Sequence, residues 1–220
     1  MTEPPIELMP TELLKDGWVA QDQVYQPGWW LKRYWESTEG SHRDHIIKAL
    51  ECRVGSFDSV LELGCNTGPN LRRIHQRWPR VALSGMDIHA EAIRYGRVHA
   101  AYEGWEWAGY VGDLRALGDL GLSADVVLSC YSLYVDPRDI NTVLAAALAC
   151  AKKALILCEP MVVGADQDEI YVRPSQGVVP EYHYNLQGRV ARLPGAHTSY
   201  LDPITPPHQR LQYVLTVLKD

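Results

Sequence analysis

The chain has 220 residues, with 21 Lys and Arg against 27 Asp and Glu, a formal net charge of −6 and 46% hydrophobic residues. That is enough apolar material for one sizeable domain, and the acidic balance disfavours a nucleic-acid-binding protein, which normally carries a basic face. No apolar run reaches the roughly 18 residues of a membrane span, so a soluble protein is expected. Five scattered cysteines without a CxxC pair argue against a zinc site and read as reduced thiols of a cytoplasmic protein. The N-terminus, Met1-Thr2-Glu3-Pro4-Pro5, is unlike a signal peptide.

In chain order, the first part, to about Phe57, is rich in aromatics: Trp18, Tyr25, Trp29, Trp30, Tyr34 and Trp35. His42 to Arg53 reads as a helix with Ile46, Ile47 and Leu50 on one face. The second part alternates strands with helices. Strands are expected at Ser59–Leu63, Ala82–Met86, Trp107–Val111, Asp125–Ser129 and Ala154–Cys158. Helices are expected over Asn70–Arg77, Glu91–Ala101 and Ile140–Cys150. Continuous apolar strands separated by amphipathic helices mean a parallel sheet covered on both faces. Arg72, Arg73, Arg77 and Arg80 cluster along and just after the first of these helices and read as a solvated face. After Pro160 prolines and glycines recur. Tyr182–Arg192 reads as a short helix, and Ala196–Leu201 and Leu211–Leu218 as an antiparallel pair closing one sheet edge.

In doubly wound sheets ligands bind at the carboxyl ends of the strands. Four such ends carry suitable groups here. Glu62-Leu63-Gly64-Cys65-Asn66-Thr67-Gly68 is an acid followed by a glycine turn, and it lacks the Lys and Ser/Thr of a triphosphate loop. Asp87-Ile88 follows the second strand, where a carboxylate can accept both hydroxyls of a ribose or else cap a helix. Asp113-Leu114 follows the third, placed to accept from an adenine amino group and pack on its ring, or to cap a turn. Ser129-Cys130-Tyr131-Ser132 leaves the fourth beside the reacting centre. A dinucleotide is the competing cofactor, but the loop is not GxGxxG and no Tyr-x-x-x-Lys pair lies on a later helix.

With Glu62 to Gly68, Asp87, Asp113 and Asp125–Ser129 followed by Tyr131–Tyr134, the chain resembles the class I S-adenosylmethionine-dependent methyltransferases of small-molecule type. Asn66 replaces the family's middle glycine, in a residue type that tolerates left-handed backbone. The likeness covers about Phe57 to Glu159. It implies a doubly wound, mostly parallel α/β sheet of seven strands with the last antiparallel. It also implies S-adenosylmethionine as cofactor and S-adenosylhomocysteine as product. Residues 1–57 would form a helical aromatic lid on the substrate side, and 58–220 the cofactor-binding core of one structural domain. Glu62, Gly64, Cys65, Asn66, Gly68, Asp87, Ile88, Asp113, Leu114, Ser129 and Tyr34 are the expected cofactor contacts, with Trp35 also placed near the cofactor.

Methyl transfer from a sulfonium is an in-line displacement governed by proximity and desolvation. An oxygen or nitrogen acceptor can still need a base. Glu159, His183 and Tyr134 are the chosen catalytic candidates, with His42, His45, His197 and Tyr131 behind them. No metal is expected. Glu159-Pro160 stands where metal-dependent relatives carry Asp-Asn, and Asp136 and Asp139 lack a third ligand. No Asn/Asp-Pro-Pro-Tyr follows the fourth strand, which argues against methylation of adenine, cytosine or glutamine amino groups. A small-molecule acceptor, metabolite or sugar-like, is therefore expected, with no nucleic-acid or membrane partner; a homodimer is allowed but not required. The alternatives are a non-catalytic cofactor-binding regulator and an RNA or protein methyltransferase.

Overall fold

The computed structural model describes residues 7–8, 29–37, 40–133, 137–163, 169–171, 181–204 and 212–219. Its strands are β1 (Glu7–Leu8), β2 (Ser59–Leu63), β3 (Ala82–Asp87), β4 (Ala108–Val111), β5 (Ala124–Cys130), β6 (Ala151–Pro160), β7 (Glu169–Tyr171), β8 (Glu181–His183), β9 (Thr198–Ile204) and β10 (Gln212–Leu218). Its helices are α1 (Trp29–Glu36), α2 (Ser41–Ala49), α3 (Pro69–Arg77), α4 (Ala90–Tyr102), α5 (Ile140–Cys150) and α6 (Leu186–Val190).

The main sheet runs β1-β4-β3-β2-β5-β6-β10-β9. Strands β4, β3, β2, β5 and β6 are parallel, while β10 is antiparallel to both β6 and β9. This is the expected seven-stranded sheet, extended at the β4 edge by the two-residue β1. The order turns outward on both sides of β2 and β5. The carboxyl ends of these two strands therefore border the crevice where ligands enter such sheets.

Side-chain alternation explains why the strands read as continuous apolar runs. Val60, Val126, Leu128, Ile156 and Val214 enter an apolar layer with Trp35, Ile46, Leu50, Leu71, Ile74 and Ile93 of α1 to α4. Leu61, Leu63, Val127, Leu155, Leu157 and Leu215 enter a second layer with Ile140, Val143, Leu144 and Leu148 of α5. At the foot of the sheet Asp125 Oδ2 accepts from Asp58 N at 2.8 Å, and Ser59 Oγ accepts from Asp125 N at 2.8 Å.

Three of the four clustered arginines lie on α3 and are paired rather than free. Arg72 Nε donates to Glu103 at 2.8 Å, Arg73 to Asp44 at 3.2 Å and Arg77 to Glu51 at 2.7 Å. These contacts tie α3 to α2, to the turn after α2 and to the end of α4, as a structural helix face does.

Some elements depart from the sequence reading. The helix from His42 loosens into a π-type turn over Leu50–Val54 and stops at Gly55, whose φ of 77° an L residue rarely adopts. In place of a helix over 182–192, β8 pairs with β7, and only Leu186–Val190 is helical. Asn185 sets that boundary, because its side chain accepts from Gly188 N at 2.9 Å as an N-cap. Strand β6 extends past the expected Ala154–Cys158 at both ends, with β5 and β10 pairing along its two edges.

Trp18 and Tyr25 lie outside the described residues. Trp35 does not sit near the cofactor rim as expected. It stacks on Trp105 at 6.1 Å and 13°, lies 5.7 Å from His99, and carries the Arg72 guanidinium at 4.9 Å. Its ring, 4% exposed, fixes α1 to α3 and α4. Replacing Trp35 with Ala is expected to cost about 3–5 kcal/mol, the range for deleting a buried aromatic. Urea denaturation checks this, and a loss below about 1 kcal/mol would show that α1 is not anchored by this ring.

Candidate functional site

The Gly64–Gly68 turn leaves β2 and folds back under a short set of bonds. Gly64 N and Cys65 N both donate to Met86 O, at 2.7 and 3.0 Å, and Gly68 N donates to Cys65 O at 2.8 Å. Gly64, Asn66 and Gly68 have φ of 69°, 51° and 82°. Asn66 meets the left-handed requirement with a side chain that helps, since its Oδ1 accepts from Thr67 N at 2.7 Å. Asn66 thus carries the left-handed backbone that the turn requires.

The turn rests on places where a Cβ has no room. One built on Gly96 of α4 would lie 2.0 Å from Thr67 O, and one on Gly85 of β3 would lie 2.6 Å from Cys65 Sγ. Cys65 consequently points into the core, where it is buried beside Trp107. Only its backbone is left to face a ligand. Gly85, Gly96 and Trp107 escaped the sequence reading, because nothing in their local pattern shows what will pack on them.

Asp87 braces the turn. Its Oδ2 accepts from Asn66 N at 2.7 Å and its Oδ1 from His89 N at 2.9 Å. It braces the loop and the approach to α4 together, while the N-cap position of α4 itself falls to His89. Burial raises its pKa, opposed by His89 and by the backbone amides of His89, Asn66 and Ile88. Trp30 of α1 stands over this end of β3, its ring 6.0 Å from that of His89.

Glu62 is 1% exposed. Its Oε1 accepts from Asn70 Nδ2 at 2.6 Å, while Oε2, Asn70 Oδ1 and Thr67 Oγ1 are buried without a hydrogen-bond partner. Burial pushes the Glu62 carboxyl up to about 8, against the pull of Asn70 and Arg43.

Asp113 accepts from the backbone N of Arg115 at 2.8 Å and caps the 3₁₀ turn Leu114–Asp119. The Arg115 guanidinium also grips it, Nη2 to Oδ2 at 2.7 Å. Leu114 is partly buried at the start of that turn. An adenine amino group would therefore share this carboxylate with Arg115.

At the end of β5 the chain turns through Tyr131, with φ of 54°. Glu159 of β6 holds that turn. Its Oε1 accepts from Ser129 Oγ at 2.7 Å, and both its oxygens accept from Ser132 N at 3.0 and 3.1 Å. Ser132 Oγ lies 3.1 Å from Gly64 O, which joins this turn to the glycine turn. Glu159 and Ser129 are both buried, and burial pushes Glu159 up to about 7. The geometry gives this pair the work of shaping the rim.

Of the remaining candidates, Tyr134 and Asp136 lie outside the described residues. His183 is half-buried on β8, opposite Glu169 of the separate ribbon. His197 is exposed at the opposite end of the sheet, its N donating to Leu218 O. Tyr34 is 48% exposed on α1, with its ring 6.1 Å from Trp30. His42 is the histidine placed at the rim, its ring edge-on to Tyr131 at 5.5 Å. Burial, then the Arg43 charge, lower its pKa to about 4, so its imidazole is neutral at pH 7. Among the described residues, no three His, Cys, Asp or Glu side chains cluster to hold a metal, and no helix is long and apolar enough to cross a membrane.

Residues 60–154 match the model of a family described as a methyltransferase domain, a span that contains the glycine turn, Asp87, Asp113 and Ser129. No curated protein matches the chain. Among solved structures, the chain is similar to the N-terminal domain of EvdMO1 in the presence of S-adenosylhomocysteine and D-fucose. There the identity is 16% over 84% of this chain and 85% of that one, with a TM-score of 0.62. It is similar to magnesium protoporphyrin IX methyltransferase (ChlM) from Synechocystis PCC 6803 with bound S-adenosylmethionine, at 12% identity over 92% and 96%, TM-score 0.61. It is also similar to CalS10, an amino pentose methyltransferase from Micromonospora echinaspora, at 14% identity over 89% and 98%, TM-score 0.61. These three likenesses establish the Rossmann-like methyltransferase fold.

The raised carboxyls make stability depend on pH. Glu62 and Glu159 hold their protons more tightly in the fold than at the ordinary 4.5, at about 8 and about 7. The folded state then binds more protons than the unfolded one between those limits, so stability falls as pH rises from about 5 to about 8. Glu62→Gln is expected to flatten the upper part of that decline, by on the order of a few kcal/mol at pH 8. Urea midpoints at pH 5, 6.5 and 8 check it; a slope identical to the parent's would remove Glu62 as the source.

Proposed function

We propose that this chain, a class I S-adenosylmethionine-dependent methyltransferase, transfers the methyl group to an oxygen or nitrogen of a small molecule. The observation that carries the donor side is the buried Asp87 carboxylate bonded to the glycine turn through Asn66 N. The residues fit the donor's three parts. Each Asp87 oxygen keeps an acceptor site beside its backbone amide, which suits the two hydroxyls of a ribose. Asp113 and Leu114 suit the adenine. Glu62 Oε2, Thr67 Oγ1 and Asn70 Oδ1 are orphaned polar atoms beside the turn, where an amino-acid group belongs.

The donor supplies an electrophilic methyl on a cationic sulfur with a neutral leaving group. The protein's part is placement and exclusion of water. Glu159, through Ser129 and Ser132, fixes the Tyr131 turn against Gly64, so acceptor-side and donor-side backbone move as one body. His42 and Tyr131 lie together beyond the end of β5. The neutral His42 imidazole is an acceptor for a proton leaving a hydroxyl or amine. Residues 29–37 and 40–57 flank this side, with α1 over His89 and α2 over β6, β9 and β10.

Three considerations favour a small acceptor. The net charge is −6. Arg72, Arg73 and Arg77 are tied to acids and offer no phosphate-binding face. CalS10 and ChlM are, by their descriptions, methyltransferases of an amino pentose and of magnesium protoporphyrin IX.

Asp87→Ala is expected to weaken S-adenosylhomocysteine binding by about 1–3 kcal/mol, the cost of losing charged hydrogen bonds. Calorimetry on the folded variant reads this; unchanged affinity would overturn the ribose assignment. Incubating the protein with methyl-labelled S-adenosylmethionine and separated cell fractions tests the acceptor class. Label is expected in low-mass metabolites; label confined to RNA or protein would overturn the small-molecule reading, and donor binding without transfer would favour a regulator.

A further inference from the structure

The carboxyl ends of β3 and β4 lie side by side in the sheet. Gly112 N donates to Asp87 O at 2.9 Å, so Asp113 follows one residue after the bond that joins the two strand ends. The Asp113 side chain is 9% exposed. Arg115, two residues on, engages both of its oxygens. Oδ1 accepts from Arg115 N at 2.8 Å and from Nε at 3.1 Å, while Oδ2 accepts from Nε at 3.0 Å and from Nη2 at 2.7 Å. A carboxylate offers about four lone-pair sites. Here each oxygen already meets two donors, all from Arg115.

These contacts fall into two kinds. The bond from Arg115 N caps the 3₁₀ turn Leu114–Asp119 and needs no side chain at position 115. The guanidinium fork adds an ion pair, from a side chain that is 35% exposed. An ion pair open to water on one side is worth little, and water replaces its bonds when it parts. Oδ2 is the contested oxygen, because its donors are Nε and Nη2 of the fork, whereas Oδ1 keeps the backbone amide when the fork leaves. The amino group of a purine is a neutral donor, and a guanidinium is a charged one with the stronger bond to a carboxylate. The base can therefore reach Asp113 only by displacing a better donor. We propose that Arg115 determines base specificity: it competes with the purine amino group for Asp113 and so weakens selection for a 6-amino purine in the donor. This deepens the donor-binding reading and rests on it. Arginine suits the part because its planar fork meets both oxygens at once, which a lysine ammonium does not.

The test uses calorimetry on the full chain with two probes: S-adenosylhomocysteine, and its 6-deamino analogue, in which hydrogen replaces the amino group. The parent protein is expected to prefer S-adenosylhomocysteine by less than about tenfold, below the roughly 10–100-fold of an unopposed hydrogen bond to a charged group. Arg115→Met removes the fork and leaves the backbone cap. It is expected to tighten S-adenosylhomocysteine by about 3–10-fold and to leave the 6-deamino analogue within about twofold of the parent. Adding Asp113→Asn, which keeps a capping residue, should abolish that gain. Equal tightening of both probes in Arg115→Met would mean that the side chain merely obstructs the pocket, and would overturn the assignment. Weaker or unchanged S-adenosylhomocysteine binding in that variant would overturn it too, as would a gain that survives Asp113→Asn. A parent preference above about tenfold would show Asp113 already open to the base, a comparison that needs no variant to fold. Each of these defeats Arg115 alone, whereas a parent that binds neither probe defeats the donor reading as well.

Discussion

The site depends on a close approach between two pieces of backbone. Thr67 O lies where a Cβ on Gly96 would have to go, so the glycine turn can sit on α4 only because α4 has a gap there. Gly85 gives the same permission on β3, against Cys65. Glycine in a helix interior costs up to about 1 kcal/mol relative to alanine. Here that cost secures contact distance between the loop and the elements on either side. The left-handed backbone at Gly64, Asn66 and Gly68 then directs the loop amides, and Asp87 locks one of them from below.

Four buried carboxyls stand along one rim, Glu62, Asp87, Asp113 and Glu159, and the hydrogen bonds of three of them separate their roles. Glu159 takes a hydroxyl and a backbone amide and has both oxygens engaged, which suits a part that shapes a turn. Asp87 takes one amide on each oxygen and keeps capacity for hydroxyl donors. Glu62 has one oxygen satisfied by Asn70 and one with nothing. Removing a carboxylate from water costs several kcal/mol unless charge and hydrogen bonds compensate. Burial raises the pKa of all three, and the hydrogen bonds that oppose it reach both oxygens of Glu159 and of Asp87 but one oxygen of Glu62.

The parallel core was legible because its signals are local. Continuous apolar strands, amphipathic helices and glycine at the turn each follow from a short stretch of chain, and Ile140–Cys150 was placed to the residue. Asn185 shows where such reading stops: the helical pattern from Tyr182 to Arg192 contained its own cap, and the aromatic residues before it pair as a strand. The positions of Glu62, Asp87 and Asp113 at strand ends were legible, because each follows from where an apolar run stops. The site was not legible where neighbours arrive from elsewhere in the chain. Asn70 meets Glu62 because α3 doubles back over β2. Arg115 competes for Asp113 through a side-chain conformation that spacing does not fix. Trp35 points to the α3–α4 face, while Trp30 is the aromatic of α1 that stands over His89 at the end of β3.

The two halves of the rim are not independent. Ser132 Oγ lies within bonding distance of Gly64 O and of Cys130 O, at 3.1 and 2.9 Å, and a Cβ on Gly64 would strike Ser132 itself. Glu159 sets Ser132, and Ser132 abuts the first residue of the glycine turn. A shift in the Tyr131 turn therefore reaches the glycine turn through one side chain, without a moving domain. Displacing a reactive group by about 1 Å can cost about a hundredfold in rate. A rigid link between the two turns is thus the simplest device by which this fold keeps methyl and acceptor in line.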